Sequence, residues 1–261
     1  MTIWLFGDSI FRGAALGRFP DEYSPEEIAA DPLWPVSSPA AVMNLALGED
    51  LVKLGGVTGL PDGVEKAVRR LAAFLNSGSV QRGDTVVFLD VGHHARDPDR
   101  HQAQWLALRS AAVAEHPIEL IMCGGFDDGA QGDHACQHDI AFEGRSHNDA
   151  VRAAATAAMI TVGHTRFLEL SPPLQAFNRW TLERFALSAY RRDGIHLNLW
   201  GQMRLCGLIL DVAAPGRRRD AKAMQSVVDG IWQAAGAPSG AAAWEMTRRG
   251  LLTSEASFEA V

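Results

Sequence analysis

The chain opens on four apolar residues, 3–6, that lead directly into Gly7, Asp8 and Ser9. An apolar run this short is typical of a buried strand and too short for a helix. Ligands of open α/β sheets bind at the carboxyl ends of the strands, so a strand here would present the Ser9 hydroxyl where substrates bind. A serine in this place is a candidate nucleophile if a base lies beside it.

A candidate base lies near the other end of the chain, where two residues separate Asp193 from His196. His196 can remove the proton of the Ser9 hydroxyl during its attack and later protonate the leaving group. Asp193 can hold the Nδ1–H of the imidazole and stabilise the imidazolium that forms. The alternative roles are structural: a helix N-cap for Ser9 and a turn residue for Asp193.

The two motifs, together with the glycine-rich segment at residues 55–59, resemble those of the GDSL or SGNH family of serine hydrolases. The Gly-Asp-Ser motif of that family matches residues 7–9, and its Asp-x-x-His motif matches residues 193–196. The resemblance runs from about residue 3 to about residue 212. It implies a flavodoxin-like α/β/α sandwich that acts on acyl esters, and it implies no metal and no organic cofactor.

The resemblance also implies an oxyanion hole for the tetrahedral intermediate. Its first two donors would be the backbone N–H groups of Ser9 and Gly59, with Gly56 as the alternative to Gly59. The third donor of the family is an asparagine, whereas this chain has His93 and His94 at that motif. A neutral imidazole donates from one nitrogen, so His94 can replace the amide if its tautomer is fixed. The alternative is that the change from asparagine to histidine marks a protein with weak hydrolysis, with acyl transfer or with no hydrolysis.

Substrate contacts are predicted for four residues beside these motifs: Asp8, Gly56, His93 and Ile195. Asp8 fits an ordering role in the turn after the strand better than a contact with substrate. The alternative for His93 and His94 is an exposed surface loop.

Strands and helices alternate along the chain without a hairpin signal, which favours a parallel, doubly wound sheet. Residues 84–91 contain a continuous apolar run that is rich in β-branched residues and bounded by turns, so they should form the central strand. The complete prediction is a five-stranded sandwich. Its strands lie at residues 3–6, 51–54, 84–91, 118–123 and within 160–170, and its helices at 10–16, 62–75, 98–115, 150–159, 174–189 and 197–212.

Two irregular segments flank the expected site. Residues 18–39 contain five prolines and are predicted to form a lid or binding loop. The alternative is a solvent-exposed loop with one helical turn at residues 25–30. Residues 129–145 contain His134, Cys136 and His138, but their spacing matches no zinc motif. A loop on the substrate side is therefore favoured over a metal site.

The dipeptide at residues 215–216 marks a predicted boundary, between a hydrolase domain at residues 1–214 and a helical extension at residues 215–261. Within the extension, residues 220–235 have an amphipathic helical pattern, and a second short helix is predicted around residues 241–249. Apolar faces of this kind are normally buried against another part of the chain or against a partner. The extension should therefore cover the domain or make a homodimer contact with a partner subunit.

Composition limits the partners and the compartment. The 261 residues carry a net charge of −7, which argues against nucleic acid as a partner, because phosphate binding needs clustered Lys and Arg. The three cysteines form no disulfide framework. We expect a cytoplasmic protein that does not bind membranes, because the sequence shows neither a leader nor an apolar run of the ~18 residues that a membrane helix needs.

The favoured function is hydrolysis of a carboxylic ester, either an O-acyl or O-acetyl group or a small acyl ester, through an acyl-serine intermediate. An acyltransferase would use the same residues and pass the acyl group to a sugar hydroxyl in place of water. A third hypothesis is a non-catalytic protein that binds a carbohydrate or another ligand in the cleft. A fourth is a nucleotide or phosphate binder that uses residues 55–59 at a helix N-terminus, although the segment lacks a P-loop lysine.

Overall fold

The structure, a computed structural model, describes residues 1–7, 9–12, 24–57, 63–89, 118–126, 164–191 and 196–253, together with Ala153 and Thr156. Within this part of the chain, one sheet is formed by β1 (Ile3–Gly7), β2 (Val52–Val57), β3 (Thr85–Leu89), β4 (Glu119–Cys123) and β5 (Thr165–Leu168). The described helices are α1 (Ser9–Arg12), α2 (Pro25–Ala30), a 3₁₀ turn (Trp34–Val36), α3 (Pro39–Leu47), α4 (Gly63–Asn76), α5 (Ser171–Phe185), α6 (Leu199–Ala213), α7 (Ala221–Ile231), α8 (Gly240–Thr247) and a π-helical turn (Arg248–Leu252).

All neighbouring strands of this sheet are parallel, and their order is β2-β1-β3-β4-β5. This is the order of flavodoxin-like doubly wound folds, in which the winding reverses between β1 and β3. The prediction of a five-stranded parallel sheet with its central strand near residues 84–91 is therefore confirmed.

Successive residues of a strand point to opposite faces of the sheet, and each face packs against helices. On one face, Leu5 and Val87 belong to an apolar cluster that includes residues of α3 and α6. On the other face, Phe6 and Phe88 belong to a second cluster with Leu71 of α4. The three-layer α/β/α architecture is thus confirmed for the described residues.

The glycine-rich segment begins inside a strand, so the prediction of a turn from residue 55 onwards is wrong for its first three residues. Leu5 pairs with Leu54 and Phe6 pairs with Gly56, which leaves Gly55 as a β-bulge in β2. A Cβ at this bulge would lie 2.2 Å from the Phe6 ring. Because Gly55 has no side chain, the Phe6 ring can lie across β2 at this point.

The helix predicted at residues 174–189 both begins and ends earlier. α5 starts at Ser171, and the two prolines that follow lie in its first turn. The interpretation of these prolines as a break before the helix is wrong, because the first N–H groups of a helix have no intrahelical partner and the fixed φ of proline suits that turn. The helix ends at Phe185, because Ala186 adopts a left-handed conformation.

Among the other described helices, α2, α4, α6, α7 and α8 agree with the sequence within a few residues, whereas α3 was not predicted. The helical turn predicted at residues 25–30 is α2, none of whose residues is buried. The first helix is described only over Ser9–Arg12, and the helices predicted at residues 98–115 and 150–159 fall almost wholly outside the described residues. Among the helices that are described, none is both long and apolar enough to cross a membrane.

α8 and the π-helical turn pack on α6, in which residues 199–210 are all buried, and α7 packs on α3 and α8. The buried residues of α7 join the cluster that contains α6 and one face of the sheet. The π-helical turn approaches α6 so closely that a Cβ on Gly207 would lie 2.1 Å from the backbone oxygen of Gly250. The amphipathic helix predicted at residues 220–235 is confirmed, whereas the domain boundary at residue 214 remains a prediction.

The two described cysteines, Cys123 in β4 and Cys206 in α6, are buried free thiols. Burial disfavours the thiolate and so raises the pKa of both thiols. Because the thiolate is the reactive form, we expect iodoacetamide to label neither in the native protein and both after unfolding in guanidinium chloride, as measured by peptide mass spectrometry. Labelling of either thiol under native conditions would contradict this placement.

Candidate active site

The first strand ends at a glycine whose position admits no side chain. Gly7 pairs with Val57 of β2 and with Leu89 of β3, and a Cβ on it would lie 2.1 Å from the Leu89 backbone oxygen. Two residues later, α1 begins at Ser9. The first motif therefore lies at the carboxyl end of β1, beside the point where the winding reverses, and crevices at such points bind the ligands of doubly wound proteins.

His196 lies in a ribbon of two short antiparallel segments, residues 188–191 and 196–198, which we call the histidine ribbon. The N–H of Arg191 donates to the carbonyl oxygen of His196 at 2.7 Å. The sequence predicted only a loop from residue 191 to residue 196. In the structure, the first and last residues of that loop are hydrogen-bonded to each other, so the backbone of His196 is held in place.

The histidine ribbon lies at the carboxyl edge of the sheet. Tyr190, which forms an antiparallel bridge with Leu197, has its ring centroid 6.4 Å from that of Phe126, three residues beyond the end of β4. Since β1 and β4 both neighbour β3, their ends are two strand spacings apart, roughly 10 Å. The start of α1 and the backbone of His196 thus come to the same edge of the sheet.

The ribbon is joined directly to α6. Oδ1 of Asn198 accepts from the N–H groups of Trp200 and Gly201 at 3.0 and 3.1 Å, which caps the helix, and its Nδ2 donates to the carbonyl oxygen of Ser188 at 2.5 Å. A Cβ on Gly201 would lie 2.3 Å from the carbonyl oxygen of Ala189. The first turn of α6 and the ribbon therefore move together.

A second side-chain link to the ribbon comes from α5. Oδ1 of Asn178 accepts from the Ser188 hydroxyl at 3.1 Å and from the Ala189 N–H at 2.8 Å. Sequence reasoning missed this residue, because an isolated asparagine within a helix belongs to no motif. The one available signal was its position beside Phe177, on the face of the predicted helix that is buried.

Three of the predicted site residues are described: Ser9 at the start of α1, Gly56 inside β2, and His196, whose side chain is half-buried. Gly56 lies in the strand and pairs with Phe6, not in the turn where it was expected. The remaining predicted site residues lie outside the described residues: Asp8, Gly59, His93, His94, Asp193 and Ile195. Their roles in catalysis, oxyanion stabilisation and substrate binding stay predictions.

Metal ligands were considered at the sequence level for one segment, which holds His134, Cys136 and His138 and lies outside the described residues. Within the described ranges, His, Cys, Asp and Glu side chains form no group of three that could hold a metal ion. The assignment of residues 129–145 to a substrate-side loop stays a prediction.

No family model and no curated protein matches the chain. Several solved structures do match. A psychrotrophic esterase from Pseudoalteromonas sp. is 14% identical with a TM-score of 0.44, over 80% of this chain and 94% of that chain. An alpha/beta hydrolase from the Lake Arreo metagenome is 16% identical with a TM-score of 0.48, over 82% and 95%.

Two further matches are a proposed SGNH hydrolase from Slackia heliotrinireducens and a gut microbial diltiazem-metabolizing enzyme. The first is 17% identical with a TM-score of 0.43, over 80% of this chain and 96% of that chain. The second is 15% identical with a TM-score of 0.45, over 81% of this chain, which spans only 46% of that enzyme. By its own strand order and layers, the chain is a flavodoxin-like α/β/α sandwich, whose motifs at residues 7–9 and 193–196 resemble those of SGNH hydrolases.

Proposed function

We propose that the chain is a serine hydrolase that cleaves a carboxylic ester through an acyl-serine intermediate. The observation that best supports this proposal is the common location of the start of α1, at Ser9, and of the histidine ribbon, at the carboxyl ends of β1 and β4. A nucleophile and a base that are far apart in the sequence would then share one crevice.

In acylation, the Oγ of Ser9 attacks the carbonyl carbon of the ester while Nε2 of His196 takes the hydroxyl proton. Asp193 accepts the Nδ1–H of the imidazole, which fixes its tautomer and stabilises the imidazolium. The bond to the alcohol oxygen then breaks, His196 gives its proton to that oxygen, and the acyl group remains on Ser9 as an ester.

In deacylation, a water molecule replaces the alcohol. His196 takes a proton from the water as its oxygen attacks the acyl carbonyl, and then returns the proton to the Oγ of Ser9 as the carboxylic acid leaves. An acyl-accepting sugar hydroxyl in place of the water would make the protein an acyltransferase with the same residues.

The negative oxygen of both tetrahedral intermediates needs hydrogen-bond donors, each of which contributes about 3 kcal/mol to the transition state. The N–H of Ser9 lies at the start of α1, where N–H groups have no intrahelical acceptor and the helix dipole favours negative charge. We assign the other two donor positions to the N–H of Gly59 and the imidazole of His94. These residues follow β2 and β3, the two strands that flank β1.

A fluorophosphonate probe tests the nucleophile directly, because it phosphonylates only a serine that is activated by a base. We expect one covalent adduct per chain on the peptide that contains Ser9, and none in Ser9→Ala. Ser226→Ala, which removes an exposed hydroxyl of α7, is the matched control and should label like the wild type. An unlabelled wild-type protein would reject the hydrolase proposal and favour a ligand-binding protein on the same fold. That alternative is also suggested by the histidines that stand in place of the asparagine in the third motif.

A further inference from the structure

We propose that Asn178 is a positioning residue for the catalytic histidine, which it holds in place through the histidine ribbon. This inference rests on the proposed function, since it assigns a residue to the support of the His196 base. Asn178 lies in α5, outside all three motifs that resemble the SGNH family.

The contact is a two-pronged clamp, whose prong to Ala189 is buried and whose prong to Ser188 is partly buried. One oxygen, Oδ1 of Asn178, accepts both the hydroxyl of Ser188 and the N–H of Ala189, at 3.1 and 2.8 Å. Asn178 is 7% exposed and Ala189 is fully buried. Removal of the amide would therefore leave the N–H of Ala189 without this acceptor in a place that water does not reach, a situation that buried polar groups avoid by moving.

The clamped residue is connected to His196 by short steps. The carbonyl oxygen of Ala189 accepts from the N–H of Asn198 at 3.0 Å, so the amide and the carbonyl of one residue are held from opposite sides. The next two pairs along the ribbon are Tyr190 with Leu197, and Arg191 with His196. A shift at Ala189 would thus reach the backbone of His196 through three successive backbone pairs.

The clamp also connects the base to the rigid part of the fold. α5 begins three residues after the end of β5, and its Phe177 is part of the main apolar cluster. Asn178 is the next residue after Phe177 in the same helix. Its amide therefore fixes the ribbon relative to the sheet, whose strand β1 leads to Ser9. A displacement of about 1 Å between reacting groups can cost about 100-fold in rate, so the effect on catalysis should exceed the effect on folding.

Thr181 provides a control for a purely structural role. It is buried on the same helix, and its hydroxyl donates to the carbonyl oxygen of Asn178 at 2.9 Å, within α5. Thr181→Val removes this one hydrogen bond and leaves the clamp on the ribbon intact. Each variant loses buried hydrogen bonding, so Tm should fall in both.

The experiment compares kcat, KM and Tm for p-nitrophenyl acetate hydrolysis in the wild type, Asn178→Ala, Asn178→Asp and Thr181→Val. We expect Asn178→Ala to lower kcat by about 10- to 100-fold with little change in KM. Asn178→Asp keeps an oxygen that can accept both bonds and should recover most of kcat. Thr181→Val should lower Tm but keep the wild-type kcat.

The inference is overturned if Asn178→Ala keeps the wild-type kcat, or if Thr181→Val loses as much kcat as Asn178→Ala. If Asn178→Ala does not fold, Ser188→Ala removes the hydroxyl prong of the clamp, together with the oxygen that accepts the N–H of Tyr190 at 3.0 Å in the same ribbon. It leaves the bond from Ala189 to Asn178 intact and should give the same loss of kcat on a smaller scale. A wild-type protein that neither hydrolyses the ester nor reacts with a fluorophosphonate would reject the proposed function instead. Labelling of the wild type with normal catalysis by Asn178→Ala would reject only the role of Asn178.

Discussion

Ser9→Ala should lower kcat for p-nitrophenyl acetate by about 10⁴-fold or more, with little change in KM, because the variant has no hydroxyl to acylate. His196→Ala should cost about as much, since the Ser9 hydroxyl is a weak nucleophile without a base. The measurement is steady-state release of p-nitrophenol under substrate saturation, after circular dichroism has shown that each variant is folded.

The double variant separates a catalytic pair from two unrelated defects. Residues that act as one unit are not additive, so Ser9→Ala combined with His196→Ala should be no slower than either single variant. Two independent structural effects would instead multiply. A double variant much slower than both singles would remove the pairing of these two residues from the proposal.

His164→Asn is the matched control for loss of an imidazole. His164 is exposed and precedes β5, at the amino edge of the sheet, opposite the edge where β1 delivers Ser9. Its φ of 54° is left-handed, a conformation that asparagine also tolerates, so this substitution should disturb the fold little. We expect a wild-type kcat, and a large loss would mean that imidazoles far from the histidine ribbon matter to the assay.

Gly201→Ala should give the second large effect, a loss of both stability and activity from one added methyl group. The new Cβ would lie 2.3 Å from the carbonyl oxygen of Ala189 and 2.9 Å from Cδ2 of Leu197, so backbone has to shift. Overpacking of this kind costs about 1–3 kcal/mol. For a chain of this length, that corresponds to a fall in Tm of roughly 2–12 °C. Because the shift falls on the histidine ribbon, kcat should fall too.

Gly230→Ala is the matched control for Gly201→Ala. Gly230 is exposed in α7, and a Cβ there meets nothing within 4 Å. A glycine inside a helix destabilises it by about 0.5–1 kcal/mol relative to alanine, so this variant should raise Tm slightly and leave kcat unchanged. Scanning calorimetry and ester hydrolysis measure both quantities. If Gly201→Ala matched Gly230→Ala in both, the close packing of α6 on the ribbon would be refuted.

The sheet could be predicted because its strands carry their own signal. β3 and the apolar residues of β4 are buried on both faces, so continuous apolar runs bounded by turns marked them without knowledge of their neighbours. The first and last motifs were visible for a similar reason, since each lies within four consecutive residues. Their common edge then follows from the topology of a parallel sheet.

The bulge at Gly55 and the start of α5 could not be predicted, because both depend on context. A glycine pair suggests a turn, yet here the ring of Phe6, on the neighbouring strand, occupies the space beside Gly55. Two consecutive prolines suggest a break, yet they fit the first turn of a helix that begins at Ser171. In both cases the residue type admits two structures, and tertiary packing selects one.

Asn178 was beyond prediction for a further reason. Its two partners lie 10 and 11 residues along the chain, past a helix end fixed by the left-handed Ala186. Without the position of that end, no spacing rule brings the amide to the ribbon. Supporting residues of this type are found only from coordinates.

The burial of α6 has a consequence for how the protein unfolds. The helix starts three residues after His196, and the sheet, α3, α5, α8 and the π-helical turn all pack on it. Among the described residues, α8 and the π-helical turn share the apolar core of α6, so we expect the C-terminal helices and the sheet to melt in a single cooperative transition. A substitution that loosens these helices should therefore also displace the histidine ribbon, although it lies far from that ribbon in the sequence.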